Sequence, residues 1–290
     1  MLLSNQDLEQ LRQQAEALLR RPLAGSSPLS GEQSSTQRGM GVELEDLRPY
    51  QIGDDVRHIA WRTTARSNSP ITKVFRAERL QRILLIADQH PGMGFATRGE
   101  LKATKAAKTA ALIAFAGLRQ RAEIGALINA QKTTHFPYSN RLNSVLEIIG
   151  GCSQAPAQFS DITPVEKLLT QAQRTSQRGD TLFIISDFAH WQPELIQRLR
   201  PITATREVHA LQIFDEGEQS LIDVGRLKLR SPFDGSEAII NTSNALLRKR
   251  YTQAMAQKQQ QLEQLFRSSE VVHHTIHTNV DTAQRLATVL

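Results

Sequence analysis

Four short apolar runs, spaced by segments long enough for helices, constrain this chain more than any other feature. They are RILLIAD (82–88), EIGALIN (123–129), TLFIISD (181–187) and EVHALQIFD (207–215). Continuous apolar runs of this length suit strands buried on both faces, as in parallel sheets. Between them, residues 99–121 carry Leu101, Ala106, Ala110, Ile113, Ala114 and Leu118 at helical spacing. Residues 139–150, 164–178 and 194–200 also read as helices, and TTHFP (133–137) as an edge strand. This alternation predicts an α/β fold of Rossmann type: a mostly parallel sheet, helices on both faces, right-handed crossovers.

Other elements flank this body. Leu8, Leu11, Ala15, Leu18 and Leu19 predict an amphipathic helix over 4–20. Residues 22–41, rich in Gly, Ser, Pro and Gln, read as a linker or exposed loop. RLKLRSP and EAIINT flank Asp234-Gly235, a hairpin signal. A helix over 243–267, a strand over 271–278 and a last short helix complete the chain. The expected organisation is an N-terminal helix (1–21), a linker and arm (22–81), and an α/β domain with a C-terminal hairpin and helix extension (82–290).

Composition narrows the function classes. Cys152 is the only cysteine, which excludes an internal disulfide framework and fits a reducing compartment. No stretch approaches the roughly 18–20 apolar residues that span a bilayer, and the N-terminus reads as a helix rather than a signal segment. A cytoplasmic protein is expected. The 35 basic residues are interspersed with 29 acidic ones, and 3 Tyr and 2 Trp give little for base stacking, so no nucleic-acid partner is expected.

In open α/β sheets ligands bind beyond the carboxyl ends of the strands. Two predicted strands end in aspartate, Asp88 and Asp187, and Thr163 precedes a predicted helix. Two carboxylates and a hydroxyl suit a hard cation such as Mg²⁺. The same aspartates also suit a purely structural role, capping helices or bonding loop amides. His273, His274 and His277 do not make a metal site: on a strand the first and last stand roughly 13 Å apart and the middle one points the other way. Cys152 has no base beside it, and GMGF (92–95) lacks the ending of a phosphate-binding loop.

The segment 41–82 is unusual in type. Arg48, Pro49 and Tyr50 place a cation and an aromatic at a stiff turn, and Gly53-Asp54-Asp55 offers a turn followed by capping carboxylates. DVRHIAW reads as a short helix burying Val56, Ile59 and Ala60, with Arg57, His58 and Arg62 on its polar side. Val56, Ile59, Trp61 and Phe75 are expected to be buried, and ITKVF (71–75) to be a strand. The run LRPY-x-x-GDD-x-R-x-I-x-W-x-x-x-AR resembles the signature of a bacterial family known as domain of unknown function 58, DUF58, and the resemblance extends over about residues 38–215.

That family resembles von Willebrand factor A domains and often works with MoxR-type AAA+ ATPases. In such domains a metal-ion-dependent adhesion site uses D-x-S-x-S, a later Thr and a later Asp. The resemblance therefore aligns Asp88, Thr163 and Asp187 with the metal ligands. His90 and Gly92 stand where the two serines would be, which implies a degenerate site and no cofactor. Imidazole is a poor Mg²⁺ ligand and suits softer ions such as Zn²⁺. The function implied is a non-enzymatic adaptor for such an ATPase. Contact residues are expected in the arm (Arg48, Tyr50, Asp54, Asp55, Arg57, Trp61, Arg62, Arg66) and in the strand-end loops (His90, Phe95, Phe188). The arm's arginines also suit internal pairs with Asp54, Asp55 or Glu78. The alternative is a metal-dependent hydrolase or phosphatase using Asp88 and Asp187.

Overall fold

The computed structural model describes residues 2–20, 43–67, 69–76, 81–130, 132–156 and 164–289. The chain divides into two compact units, Met1–Ser27 with Gln81–Leu290, and Pro28–Leu80. In chain order the elements are α1 (Asn5–Gln14), β1 (Glu43–Pro49), α2 (Trp61–Thr64), β2 (Ile71–Arg76), β3 (Arg82–Asp88), α3 (Lys102–Arg119), β4 (Glu123–Asn129) and β5 (Thr133–Ser139). They continue with α4 (Leu142–Cys152), α5 (Val165–Thr175), β6 (Thr181–Ser186), α6 (Pro193–Gln197), α7 (Arg200–Thr203), β7 (Glu207–Phe214) and α8 (Glu216–Gln219). The last are β8 (Arg226–Arg230), β9 (Glu237–Asn241), α9 (Ala245–Ser268), β10 (Val272–His277) and α10 (Thr282–Val289).

The larger unit is built on a six-stranded sheet of order β10-β7-β6-β3-β4-β5. All neighbours run parallel except the edge pair β4–β5. The apolar runs read in the sequence are its central strands, buried on both faces. One face packs Ile83, Leu85, Phe183 and Leu211 against α1, α3, α4 and α10. The other packs Leu84, Ile86, Leu182 and Ile184 against α5, α6, α9 and the loop holding Phe188 and Trp191. The alanines of α3 let it lie close to the sheet. At Gly117 a Cβ would meet Ile124 Cδ1 at 2.7 Å and Ile83 Cδ1 at 2.8 Å.

Several boundaries differ from the sequence expectation for local reasons. The first helix is α-helical only to Gln14 and then tightens into a 3₁₀ turn over Ala15–Arg20. Ser4 and Asp7 form a capping box at its start, and Leu11, Ala15 and Leu18 are buried with the sheet. The single helix expected near 194–200 is two short ones, because Pro201 has no N–H to continue the ladder. Helix α8 was not anticipated, although Asp215 and Glu218 form a capping box that marks it. The hairpin β8–β9 turns at Asp234-Gly235 as expected, with Gly235 in the left-handed region.

In the smaller unit β1 and β2 pair antiparallel. DVRHIAW is not one helix. Asp55 caps a single 3₁₀ turn, Val56–His58, by accepting from the Arg57 amide; Ile59 is then extended and bridges to Thr72. That break buries Ile59 and Ala60 but turns Val56 and Trp61 outward, 59% and 67% exposed, against the expectation that both are buried. The Phe75 side chain, Glu78 and the 22–41 linker lie outside the described residues. Trp61→Ala is accordingly expected to leave the melting temperature within about 2 °C, as exposed substitutions do; a fall of 5 °C or more on thermal denaturation would contradict its exposure.

Candidate functional site

The chain runs from β3 to its neighbour β4 on one side and from β6 to its neighbour β7 on the other. The loops after β3 and β6 therefore diverge and open a crevice, the usual ligand position in such sheets. Asp88 ends β3 and Asp187 follows β6, and both are buried. Asn129, opposite Asp88 in the ladder, donates from Nδ2 to Asp88 Oδ1 at 3.1 Å. Ser186 Oγ and Trp191 Nε1 donate to Asp88 Oδ2 at 3.0 and 3.1 Å. Asp187 Oδ1 accepts from the Ala189 amide at 2.8 Å and faces His90 Nε2 at 2.8 Å. Asp187 Oδ2 accepts from Lys102 Nζ at 2.6 Å, and the same ammonium donates to Glu218 Oε1 of α8 at 2.5 Å.

The centre of the crevice is thus a buried ammonium held between two carboxylates. Burial disfavours the charge on Lys102, but Asp187 and Glu218 outweigh it and raise its pKa. Burial likewise opposes the Asp187 charge, yet His90 and Lys102 hold that carboxyl well below the usual carboxylate range. A depressed carboxyl pKa contributes stability that is complete above the unfolded value, about 3.9, and is lost as pH falls. Lys102 contributes in the opposite sense, complete below its unfolded value of about 10.4 and lost only at higher pH. Denaturant midpoints are therefore expected to show the pair at full strength across neutral pH and to lose it below about pH 4. A Lys102→Met, Asp187→Asn double variant should fall less steeply in that acid range; an unchanged acid slope would contradict the assignment.

His90 Nδ1 accepts from the Gly92 amide at 3.1 Å, so the tautomer with its proton on Nε2, donating to Asp187, satisfies both nitrogens. At Gly92 a Cβ would stand 2.8 Å from His90 Cε1, so the glycine makes room for the ring. His190 lies edge-on to His90, ring centroids 4.2 Å apart, and its Nε2 is 3.5 Å from Asp88 Oδ2. Phe233, in the β8–β9 turn, lies against both imidazoles. Beside this cluster a cavity of about 980 Å³ opens towards the hairpin, lined among others by Phe95, Lys102, Asp187, Glu218, Phe233 and Tyr251.

An octahedral Mg²⁺ asks for several oxygen ligands. Both Asp187 oxygens already have protein donors, one of them the Lys102 ammonium, position 90 offers an imidazole and position 92 no side chain. These residues do not fit that ion. Thr163 lies outside the described residues. His90 and Phe188 are buried, so neither is the surface contact expected of it; Phe188 packs on Trp191 and Phe266 instead. Phe95 is about half exposed at the cavity.

In the smaller unit Arg48 Nη2 pairs with the buried Asp54 at 2.8 Å, and Asp54 also accepts from the Gln51 amide, closing the turn at Gly53. Asp54 is thereby an internal strut rather than a contact. Asp55 and Arg57 pair at the surface, and Arg62 and Arg66 are exposed. The three histidines of β10 stay apart: His273 bonds Gln212 and His274 stacks on His209. Cys152 is buried and its thiol is pushed up to about 12, which removes it as a nucleophile at neutral pH.

Lys102, His190, Trp191, Asn129 and Glu218 were not anticipated. Lys102 had a legible signal: it precedes Ala106, Ala110 and Ile113 at helical spacing, so it lies on the apolar stripe of α3. His190 and Trp191 follow a strand-end aspartate, where loops carry ligands, but nothing in the sequence points them back at Asp88.

Comparison with known proteins gives a family match over residues 46–261, to a model described as protein of unknown function DUF58. Uncharacterized proteins of Mycobacterium tuberculosis and Mycobacterium bovis are 31% identical over 214 residues, 71% of this chain. The chain spans 66% of the length of these relatives. Among solved structures, the conserved hypothetical protein BatB from Bacteroides thetaiotaomicron overlaps 72% of this chain and 96% of its own, at a TM-score of 0.45 and 11% identity. An aerotolerance-related membrane protein from Bacteroides fragilis gives the same TM-score of 0.45 and 11% identity over 72% of this chain and 96% of that one. At that score the overlap is loose.

Proposed function

The chain belongs to the DUF58 family, and from that premise we propose that it is a non-enzymatic adaptor for a MoxR-type AAA+ ATPase. In this reading the larger unit is a von Willebrand factor A-like domain with a degenerate metal-ion-dependent adhesion site. Lys102 supplies, beside Asp187, positive charge of the kind a metal supplies in an intact site. The observation that carries the proposal is the exposed side of the signature segment. Ile52, Val56 and Trp61 stand in solvent there, with Arg57, Arg62 and Arg66 in the same segment. Trp and Arg are the residue types most enriched among interface residues that dominate binding energy. The hydrolase alternative needs Asp88 and Asp187 to share a metal, and Asp187 is already held by Lys102, His90 and the Ala189 amide.

No helix of the described residues is long and apolar enough to cross a membrane. A cytoplasmic location is part of the proposal. The test is co-purification from native extract with a tagged full chain, with and without EDTA. The expected result is recovery of an AAA+ ATPase in equal amount in both. Absence of the ATPase contradicts the adaptor reading, and its loss with EDTA contradicts the metal-independent form of it.

A further inference from the structure

We infer that Asp88, His90 and His190 form a binding site for one zinc-class divalent ion. One ligand atom from each of the three lies within 4.8 Å of the others. His190 Nε2 and Asp88 Oδ2 are 3.5 Å apart, too far for a good hydrogen bond. Two ligands on a tetrahedral zinc, at bond lengths of about 2.0–2.2 Å, stand about 3.3–3.5 Å apart.

His190 is the second observation. Both of its ring nitrogens are covered from solvent and neither has a hydrogen-bond partner among the described residues. A buried polar group left in that state is costly unless something occupies it. The surroundings supply what a metal-bound cluster needs. His90 gives its Nε2 proton to Asp187, the carboxylate–histidine arrangement typical of metal ligands, and this leaves Nδ1 to ligate in place of its 3.1 Å bond from Gly92. Asn129, Ser186 and Trp191 orient the Asp88 carboxylate in the same way.

Asp187 and Glu218 are paired with the ammonium of Lys102, whereas Asp88 meets neutral donors from Asn129, Ser186 and Trp191. Two imidazoles and one carboxylate select a softer ion than Mg²⁺. With Phe233 lying over both rings, the ion would clasp the β3 and β6 loops beneath the hairpin. The inference rests on residues separate from those that carry the adaptor proposal, and either can fail alone.

The test is titration of the chelator-stripped full chain with Zn²⁺ against a chromophoric chelator, and with Co²⁺ by visible absorption. The expected result is one ion per chain, with a Kd on the order of micromolar or tighter and the strong visible bands of tetrahedral Co²⁺. His190→Gln and His90→Gln should each weaken binding by about 100-fold, and His273→Gln should not change it. The His190 ring makes no hydrogen bond among the described residues, so its variant is expected to keep the fold and remains decisive if the His90 variant does not. Absence of saturable binding, or one-equivalent binding unchanged by His190→Gln, would overturn the inference.

Discussion

Lys102→Met is expected to cost about 3–5 kcal/mol and to lower the melting temperature by about 10 °C. The substitution keeps an unbranched stem one atom shorter and removes the ammonium with its hydrogen bonds to Asp187 and Glu218. It leaves Asp187 buried beside a thioether, with His90 Nε2 and the Ala189 amide as its remaining partners. Removing one member of a buried ion pair is far more damaging than removing both, because the survivor keeps its desolvation cost. Adding Asp187→Asn to the same chain should restore much of the loss, since an amide needs no counter-charge. A double-mutant cycle on denaturant midpoints measures this directly. A single-variant loss under about 1 kcal/mol would mean that solvent reaches Asp187, and the picture of a buried built-in cation would fall.

Gly99→Ala should be the other strongly destabilising change, at about 3 kcal/mol. Gly99 lies just before α3 with φ at +78°, a left-handed conformation that costs an L side chain roughly 1–2 kcal/mol. Its Cβ would also stand 2.6 Å from the Thr278 carbonyl oxygen, a backbone atom that cannot swing aside. That contact adds an overpacking cost of about 1–3 kcal/mol. Gly150, in α4, is the control: nothing lies within 4 Å of its Cβ position, so Gly150→Ala should be neutral or stabilising by up to about 1 kcal/mol. Equal effects of the two substitutions on thermal denaturation would contradict the account of how α3 is seated.

The sheet was legible because burial on both faces leaves an unambiguous mark. A run such as TLFIIS has no polar side to place in water and is too short for a typical helix, so it reads as a central strand. Asp88 and Asp187 were legible for the same reason, as the first charged residues after such runs. What was not legible depended on long-range approach. Trp191 reaches Asp88 across 103 positions and Glu218 reaches Lys102 across 116, and no local period encodes either contact. The arm failed differently. Its apolar residues have helical spacing, yet one 3₁₀ turn followed by extended Ile59 rotates Val56 and Trp61 out of the buried set. Periodicity over seven residues cannot distinguish a helix from two turns with a break between them.

The adaptor proposal is tested most directly by equilibrium binding of the purified full chain to a purified MoxR-type AAA+ ATPase from the same organism. The wild-type chain should be compared with Trp61→Ala and with an Arg62→Glu, Arg66→Glu double variant. If the exposed side of the signature segment is the docking surface, Trp61→Ala should raise the Kd by about 30-fold, the effect of losing about 2 kcal/mol at an interface anchor. The charge reversal should weaken binding further at low salt than at high salt. All three proteins should melt within about 2 °C of one another, because these side chains are exposed. Wild-type binding that all these variants retain at full strength would show that the segment is not the docking surface, and no binding by the wild-type chain would contradict the adaptor function itself.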